Sequence, residues 1–460
     1  HQKTDNHKKA LEFYGKSRDI YEQRSPDTNN QMDLATCYNN MASLYNELGE
    51  YSQALSYYEK TYEMVKTNLS NLARYHNNIA NVHNNKAEYE EALNHFEKSL
   101  AIQMQIEPRN DCHLATTYNN IGAIYAEIGD LPKTFECYEK AIEIQENFVP
   151  VQCSDLAQSY NNLGLLYYQT HDYSKALEYL ERSVNTKQKH GLSEDSDLAI
   201  TYTNIGAIYN DRSQYDKALD YHKKSREIAE NIFKSDHPIL AGCYNNIASV
   251  YKNQGKYLDA LPLCQRSLEI RQHILPSTHP SLAFAYNNIG WIMRELDRCP
   301  EALAYYYQAL EIYQNTESDL TGIYNSIGTV YGKMEQYDEA LLSMEKALEI
   351  RKQTLSDDHI DFAESFNNIG MVYNKMGEHE KALALHEKAI DIQEKTSPMP
   401  ECDLAVSYKN LGWVYRNIGD YSQALKYYEL ALDIRQRLFP TDHPNINNIK
   451  DCIEFVKSKL

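Results

Sequence analysis

The sequence lacks the segments that would place a chain in a membrane or give it a disulfide framework. No apolar run approaches the roughly 20 residues that span a bilayer, and no secretory signal opens the chain. The nine cysteines are odd in number, scattered and without a Cys-x-x-Cys pair, a usage typical of reduced thiols. We therefore expect a cytoplasmic protein that does not cross a membrane.

Positive net charge and catalytic motifs are missing as well. The formal net charge of -19 disfavours nucleic acids and anionic membrane surfaces as partners, because both are bound through basic faces. The nearest approach to a phosphate loop, at 328–334, is one residue short and lacks the hydroxyl after its lysine. No zinc-protease helix or nucleophile elbow occurs. We predict a non-enzymatic protein without catalytic residues, metal or cofactor.

The chain carries instead one phrase, Tyr-Asn-Asn-Ile-Gly at 118–122, that recurs from end to end. Gaps of 38 or 42 residues separate its copies, and a period in this range marks a repeat array. The second asparagine of the phrase and its equivalents are Asn40, Asn78, Asn120, Asn162, Asn204, Asn246, Asn288, Ser326, Asn368, Asn410 and Asn448.

Each repeat predicts two antiparallel helices. In the third repeat, Tyr118, Ile121 and Tyr125 fall on one face of the first helix, and Tyr138 and Ala141 fall on one face of the second helix. Glycine recurs in the middle of the first helix, where it costs about 1 kcal/mol against alanine. Its recurrence indicates backbones that approach too closely for a larger side chain. The pattern predicts an all-α fold built from helix hairpins.

These spacings resemble the tetratricopeptide repeat (TPR). The 42-residue period, with phrases such as Gly255-Lys256-Tyr257 and Asp236-His237-Pro238, is similar to that of kinesin light chains. The resemblance implies a right-handed α-solenoid, or superhelix, whose first helices line a concave channel. It also implies that the second asparagine of each repeat clamps a peptide, and that the ligand is a short acidic cargo motif.

We predict a single TPR superhelical domain over residues 1–460. It comprises a partial N-terminal repeat and loop over 1–32, ten hairpins over 33–442 and a capping helix over 443–460, since terminal repeats need a polar outer side. Residues 10–21 match the second helix of a unit whose first helix is absent. We therefore expect a further segment or domain upstream in the full-length protein.

The paired asparagines leave two interpretations open, because asparagine is a poor helix former and needs a reason to recur. They either bond to neighbouring helices and hold the stack, or the second of each pair forms a ladder for the backbone of an extended peptide. Both hold if the first asparagine is structural and the second is exposed.

Around this ladder, the residues predicted to line the channel in repeats six to ten carry a net positive charge, although the whole protein is acidic. Both tryptophans, Trp291 and Trp413, occupy the same repeat position, and each precedes an arginine by three residues. Because tryptophan and arginine dominate interface energetics, we predict that these units bind an extended, acidic, partly aromatic segment. The candidate peptide-binding residues are Asn78, Asn120, Asn162, Asn204, Asn246, Asn288, Asn368, Asn410, Lys252, Trp291, Arg294, Lys333, Lys375, Trp413 and Arg416.

Two other function classes stay open. The chain could be the sensor or autoinhibitory array of a larger signalling protein or enzyme with an upstream nucleotide-binding or transferase domain. It could also be a self-associating structural array. The sequence leaves the partner's identity and the oligomeric state open.

Overall fold

The computed structural model describes residues 2–23, 28–106, 111–147, 153–191, 196–233, 235–316, 319–356, 358–396, 399–438 and 444–460. All regular structure in these residues is α-helical. The helices are α1 (Gln2–Glu22), α2 (Thr28–Glu47), α3 (Tyr51–Val65), α4 (Leu69–Asn85), α5 (Tyr89–Gln103), α6 (Asp111–Ile128), α7 (Leu131–Glu146), α8 (Cys153–Gln169), α9 (Tyr173–Lys189), α10 (Ser196–Asp211), α11 (Tyr215–Ile232), α12 (Pro238–Asn253), α13 (Tyr257–Ile274), α14 (Pro280–Glu295), α15 (Cys299–Asn315), α16 (Thr321–Lys333), α17 (Tyr337–Thr354), α18 (Asp361–Lys375), α19 (His379–Lys395), α20 (Glu401–Ile418), α21 (Tyr421–Leu438) and α22 (Pro444–Lys457).

The chain forms two compact units, His1–Ile232 and Phe233–Leu460. Each even-numbered helix from α2 to α20 packs against the next helix as a hairpin, and α22 packs on α21. The predicted all-α array of ten hairpins with a final capping helix is therefore confirmed. The first hairpin begins at Thr28, before the predicted boundary at residue 33. The assignment of 1–460 to a single domain stays a prediction.

Close helix contacts occur where a glycine of the first helix faces a large ring of the second. Tyr306 is fully buried, and a Cβ atom added to Gly290 would lie 2.8 Å from a carbon of its ring. The same pairing joins Gly412 to Tyr428. Glycine is required here by space, because any side chain would have to share the volume of the ring.

The turns inside the hairpins need a left-handed residue. Gly129 supplies it after α6 with a φ of 84°, as expected for a helix C-terminus. Ala87 and Asp297 adopt the same conformation at φ 58° in their own turns, which is strained for a residue with a side chain. The hairpin geometry therefore holds these turns even where the sequence offers no glycine.

Two histidines replace the ring that packs on the first-helix glycine. His222 lies against Gly206 and His386 against Gly370, and both are buried. Among the residues that the structure describes, the Nδ1 atom of His222 and the Nε2 atom of His386 have no hydrogen-bond partner. Burial disfavours the charged imidazolium and lowers the pKa of each side chain to about 4.

The described residues contain neither a candidate membrane-spanning helix nor a cluster of metal ligands. None of the helices there combines the length and the apolar composition that crossing a bilayer requires. No group of three or more histidine, cysteine, aspartate or glutamate side chains in the described ranges is arranged to hold a metal ion.

Replacing Gly290 with alanine tests the close approach. The new methyl group would overlap the Tyr306 ring, and overpacking of this kind costs about 1–3 kcal/mol in the free energy of unfolding. Gly322→Ala is the matched control, because nothing lies within 4 Å of an added Cβ atom there. Urea unfolding should show a loss of stability for the first variant alone, and equal midpoints would contradict the packing argument.

The two buried histidines predict that the free energy of unfolding decreases as the pH falls. An unfolded histidine binds its proton at about pH 6.5, whereas His222 and His386 in the folded protein resist protonation down to about pH 4. Stability is therefore fully present above about pH 6.5 and is lost as the pH falls, by about 2 kcal/mol per histidine at pH 5. His222→Tyr should reduce this loss, measured by urea unfolding between pH 7 and pH 5; an unchanged pH dependence would argue against it.

Candidate functional site

A serine hydroxyl joins three helices where consecutive hairpins meet. The Nδ2 atom of Asn119 on α6 donates to the Oγ atom of Ser159 on α8 at 2.6 Å. That hydroxyl donates in turn to the Oε1 atom of Gln145 on α7, also at 2.6 Å. Ser159 is fully buried and Gln145 is nearly so. We call this arrangement the hydroxyl junction.

The hydroxyl junction recurs in other repeats. Asn367, Ser407 and Gln393 form it in the second unit with distances of 2.6 and 2.7 Å. In the first unit, Asn77 and Gln103 converge on Thr117. The first asparagine of the pair is thus structural where the junction forms, as one of the two interpretations predicted.

The second asparagines form a ladder along the first helices. Asn78 donates through Nδ2 to the Oδ1 atom of Asn39 in the preceding repeat at 2.7 Å. Asn204 and Asn288 donate in the same way to the preceding first asparagines, at 3.1 and 3.2 Å. Asn162 accepts from Gln158. Asn78, Asn204 and Asn288 therefore also hold the stack and partly use their amide NH2 groups, whereas the bond of Asn162 stays within α8.

Four second asparagines keep both amide atoms available. Asn120, Asn246 and Asn368 are half-buried, and Asn410 is only 6% exposed. None of these four side chains makes a hydrogen bond to another described residue. Some asparagines of the predicted ladder therefore bond to other side chains of the protein, whereas others have amide groups available to a ligand.

Cavities lie between successive first helices, where the second asparagines point. Asn78 and Asn120 line a cavity of about 180 Å³ between α4 and α6. Asn368 and Asn410 line one of about 380 Å³ between α18 and α20. We call these the α4–α6 cavity and the α18–α20 cavity.

Two of the predicted basic residues reach back to the ends of preceding first helices. The Nζ atom of Lys333 lies 2.7 Å from the carbonyl oxygen of Arg294 and 2.6 Å from a carboxylate oxygen of Asp297. Lys375 donates to the carbonyl oxygen of Gly332 at 3.2 Å. Cations suit these positions because the C-terminal end of a helix carries negative partial charge. Both lysines are exposed, but Lys333 is already neutralised by Asp297.

Four of the predicted residues meet around the ring of Trp291. The Nζ atom of Lys252 lies 4.6 Å from the ring centroid, and the guanidinium carbon of Arg294 lies 5.5 Å from it. Asn288 accepts from Lys252 at 3.3 Å. The ring of Tyr257, which sequence reasoning missed, meets Trp291 edge-on at 5.6 Å. We call these five residues the Trp291 cluster.

The charges of the Trp291 cluster are unequal. Burial is the main reason that the pKa of Lys252 is lowered, and the nearby charge of Arg294 adds to it. Arg294 is paired with Glu295 at 2.8 Å. Within the described ranges no carboxylate is paired with Lys252, so it is a partly desolvated cation without a counter-charge.

The second tryptophan has different surroundings. Arg416 places its guanidinium 5.0 Å from the ring centroid of Phe455 on α22, not over Trp413. Trp413 is half-buried, and no cation or aromatic ring of the described chain stacks on it. The structure therefore brings Lys252, Trp291 and Arg294 together and does not form the predicted Trp413–Arg416 pair.

Comparison with known proteins decides the family. A family model described as the tetratricopeptide repeat matches residues 1–67, 71–147, 113–189, 197–252, 240–315, 319–395 and 361–437. The chain belongs to the tetratricopeptide repeat family. A search of curated proteins found no match.

Solved structures with a TM-score above 0.5 share the fold. The apo form of the quorum sensor NprR from B. thuringiensis is 17% identical, with a TM-score of 0.58 over 81% of this chain and 99% of that one. Aspartyl phosphate phosphatase F from Bacillus subtilis is 15% identical, with a TM-score of 0.54 over 79% of this chain and 94% of that one. A putative kinesin light chain from Podosopora anserina is 21% identical, with a TM-score of 0.40 over 44% of this chain and 97% of that one.

Adjacent threonines test the hydroxyl junction. Thr117 and Thr116 both bond to the carbonyl four residues earlier, but only Thr117 also bonds to Asn77 and Gln103. Thr117→Val keeps the shape and leaves buried amide groups without a partner, which costs about 1–3 kcal/mol. Thr116→Val on the exposed face should change stability by less than about 0.5 kcal/mol. Equal unfolding midpoints for the two variants in urea would show that the junction does not hold the repeats.

Proposed function

We propose that this chain is a non-enzymatic protein-interaction scaffold whose second unit binds an extended, acidic segment of a partner at the Trp291 cluster. The observation that carries the proposal is the position of Trp291, whose ring lies within cation–π distance of Lys252 and Arg294. A carboxylate and an apolar side chain of one segment would both find partners there.

Lys252 supplies the charge. Its ammonium group is partly desolvated, and that loss of hydration favours any ligand that brings a negative charge beside it. Asn288 accepts from Lys252 and donates to Asn245, so this asparagine orients the lysine. The role of Asn288 is therefore positioning, which modifies the prediction that it clamps the peptide directly.

Trp291 supplies the flat apolar surface. Tyr257 packs against the edge of the indole and limits its movement. A large, fixed ring costs little conformational entropy when a ligand covers it, which is why tryptophan is common at interface centres. An aromatic or aliphatic residue next to the acidic one would pack on it.

The open asparagines supply backbone contacts. Asn246 lies on α12 with Lys252, and its amide can both donate to and accept from an extended chain. Lys375 and Arg416 have no carboxylate partner among the described residues, so they extend the basic surface. Lys333 contributes least, because Asp297 already neutralises it.

One contact suggests competition between the last helix of the array and a ligand. Phe455 of α22 lies on Arg416, so a segment of the same chain takes a place that was predicted for a ligand. In the acidic-peptide assay described next, Phe455→Ala would tighten binding if α22 competes with the ligand. It would leave the affinity unchanged if the chain is a simple scaffold.

The test is binding of a short fluorescein-labelled glutamate–serine peptide with one central tyrosine, followed by anisotropy at low ionic strength. Lys252→Glu and Trp291→Ala should each weaken binding about tenfold, equivalent to about 1.4 kcal/mol. Trp413→Ala is the matched control, because Trp413 occupies the same repeat position without the cations. Circular dichroism and thermal unfolding would verify that each variant is folded.

Two results would overturn the proposed function. One is equal affinity of the wild type and Trp291→Ala. The other is equally tight binding of a peptide in which glutamine replaces every glutamate, because the proposal requires the negative charge.

A further inference from the structure

The α18–α20 cavity has a charge opposite to that of the Trp291 cluster. Asp361 and Glu364 line it from α18, and Asp403 lines it from α20. No lysine or arginine is among its lining residues in the described chain. Arg351 on α17 pairs with the Oε2 atom of Glu364 at 2.6 Å, so the charge of this carboxylate is balanced. The other two carboxylates leave the cavity acidic.

Asn410 provides a second sign of a ligand. It lines the α18–α20 cavity, is only 6% exposed, and makes no side-chain hydrogen bond within the described ranges. Its amide atoms keep a small accessible surface, so they can pair with a group that enters the cavity. An incoming N–H group could donate to its Oδ1 atom.

The equivalent cavity in the first unit has no carboxylate among its lining residues in the described chain. Asn120 of the α4–α6 cavity is the repeat equivalent of Asn410, and both cavities share the asparagine and glutamine of a hydroxyl junction. Arg74 stands where the second unit has Glu364, and His113 stands where it has Asp403. The fold therefore does not require carboxylates at these positions, and their presence between α18 and α20 is a local property.

We propose that the α18–α20 cavity binds a lysine or arginine side chain from a basic segment of a partner protein. The carboxylates of Asp403 and Asp361 face the cationic head, and Asn410 accepts one of its N–H groups. Met371 and Val406 line the same cavity, and they pack on the aliphatic stem that such side chains bury. The volume of about 380 Å³ accommodates one long side chain.

This site is separate from the Trp291 cluster, because its ligand carries the opposite charge and none of the five residues of that cluster lines it. The probe is a short fluorescein-labelled lysine–serine peptide, titrated against the full chain at low ionic strength. Asp361→Asn with Asp403→Asn should weaken its binding about tenfold, since the carboxylate charge is removed with little change of shape. Asn410→Leu, which fills the cavity and removes the acceptor, should weaken binding by a similar factor.

The matched control removes the same charge elsewhere in the second unit. Asp338→Asn with Glu339→Gln alters two exposed carboxylates at the start of α17 and should leave the affinity within about twofold if the cavity is specific. Acidic-peptide binding at the Trp291 cluster should be unchanged in the cavity variants, which separates the two proposals.

The chain also offers a gain-of-function test. Asn71→Asp with Arg74→Glu and His113→Asp gives the α4–α6 cavity the charges of its counterpart, and the number of lysine–serine peptides bound per chain should rise from about one to about two. The proposal is overturned if the wild type does not bind the peptide, if either cavity variant retains full affinity, or if the control at α17 weakens binding equally.

Discussion

The hydroxyl junction between consecutive hairpins is the interaction on which the rest of the array depends. A single hairpin cannot bury its outer face, so each repeat must fix its neighbour's position as well as its own. Apolar packing alone would permit sliding, whereas the hydroxyl of Ser159 meets the Nδ2 atom of Asn119 and the Oε1 atom of Gln145 in one register only. Because an unmade buried hydrogen bond is costly, the junction holds a first helix at a defined rotation where it forms.

That rotation decides what the channel-facing positions can reach. Once the first asparagine is held, the next residue in the helix lies beside the preceding repeat, as Asn78 does beside Asn39. Two helical turns after a second asparagine, another residue lies beside the preceding repeat. Lys375, seven residues after Asn368, donates to the carbonyl oxygen of Gly332 in the preceding first helix. Several side chains of the channel therefore contact the preceding repeat, and some of its charges are partly used before any ligand arrives.

The sequence predicts the hairpins and the channel positions because both follow from periodicity. It also predicts that Arg294 meets Trp291, since residues three apart share a helix face. It does not predict that Lys252 completes the cluster or that Arg416 turns to Phe455, because those contacts join different helices and depend on side-chain rotamers. The neutralisation of Lys333 by Asp297 is hidden for the same reason, since the aspartate lies in a turn of the preceding hairpin.

The two equivalent cavities show how a repeat fold separates stability from specificity. Thr117 and Ser407, which build the hydroxyl junctions, are buried and chemically alike, whereas Arg74 and Glu364 on the preceding first helices are exposed and differ in sign. A charge at such a position is solvated and contacts only its neighbours, so exchanging it costs the array little. In the second unit this freedom places cations around Trp291 and carboxylates around Asn410. A partner segment that met both sites would need charges of both signs, in an order set by the repeats.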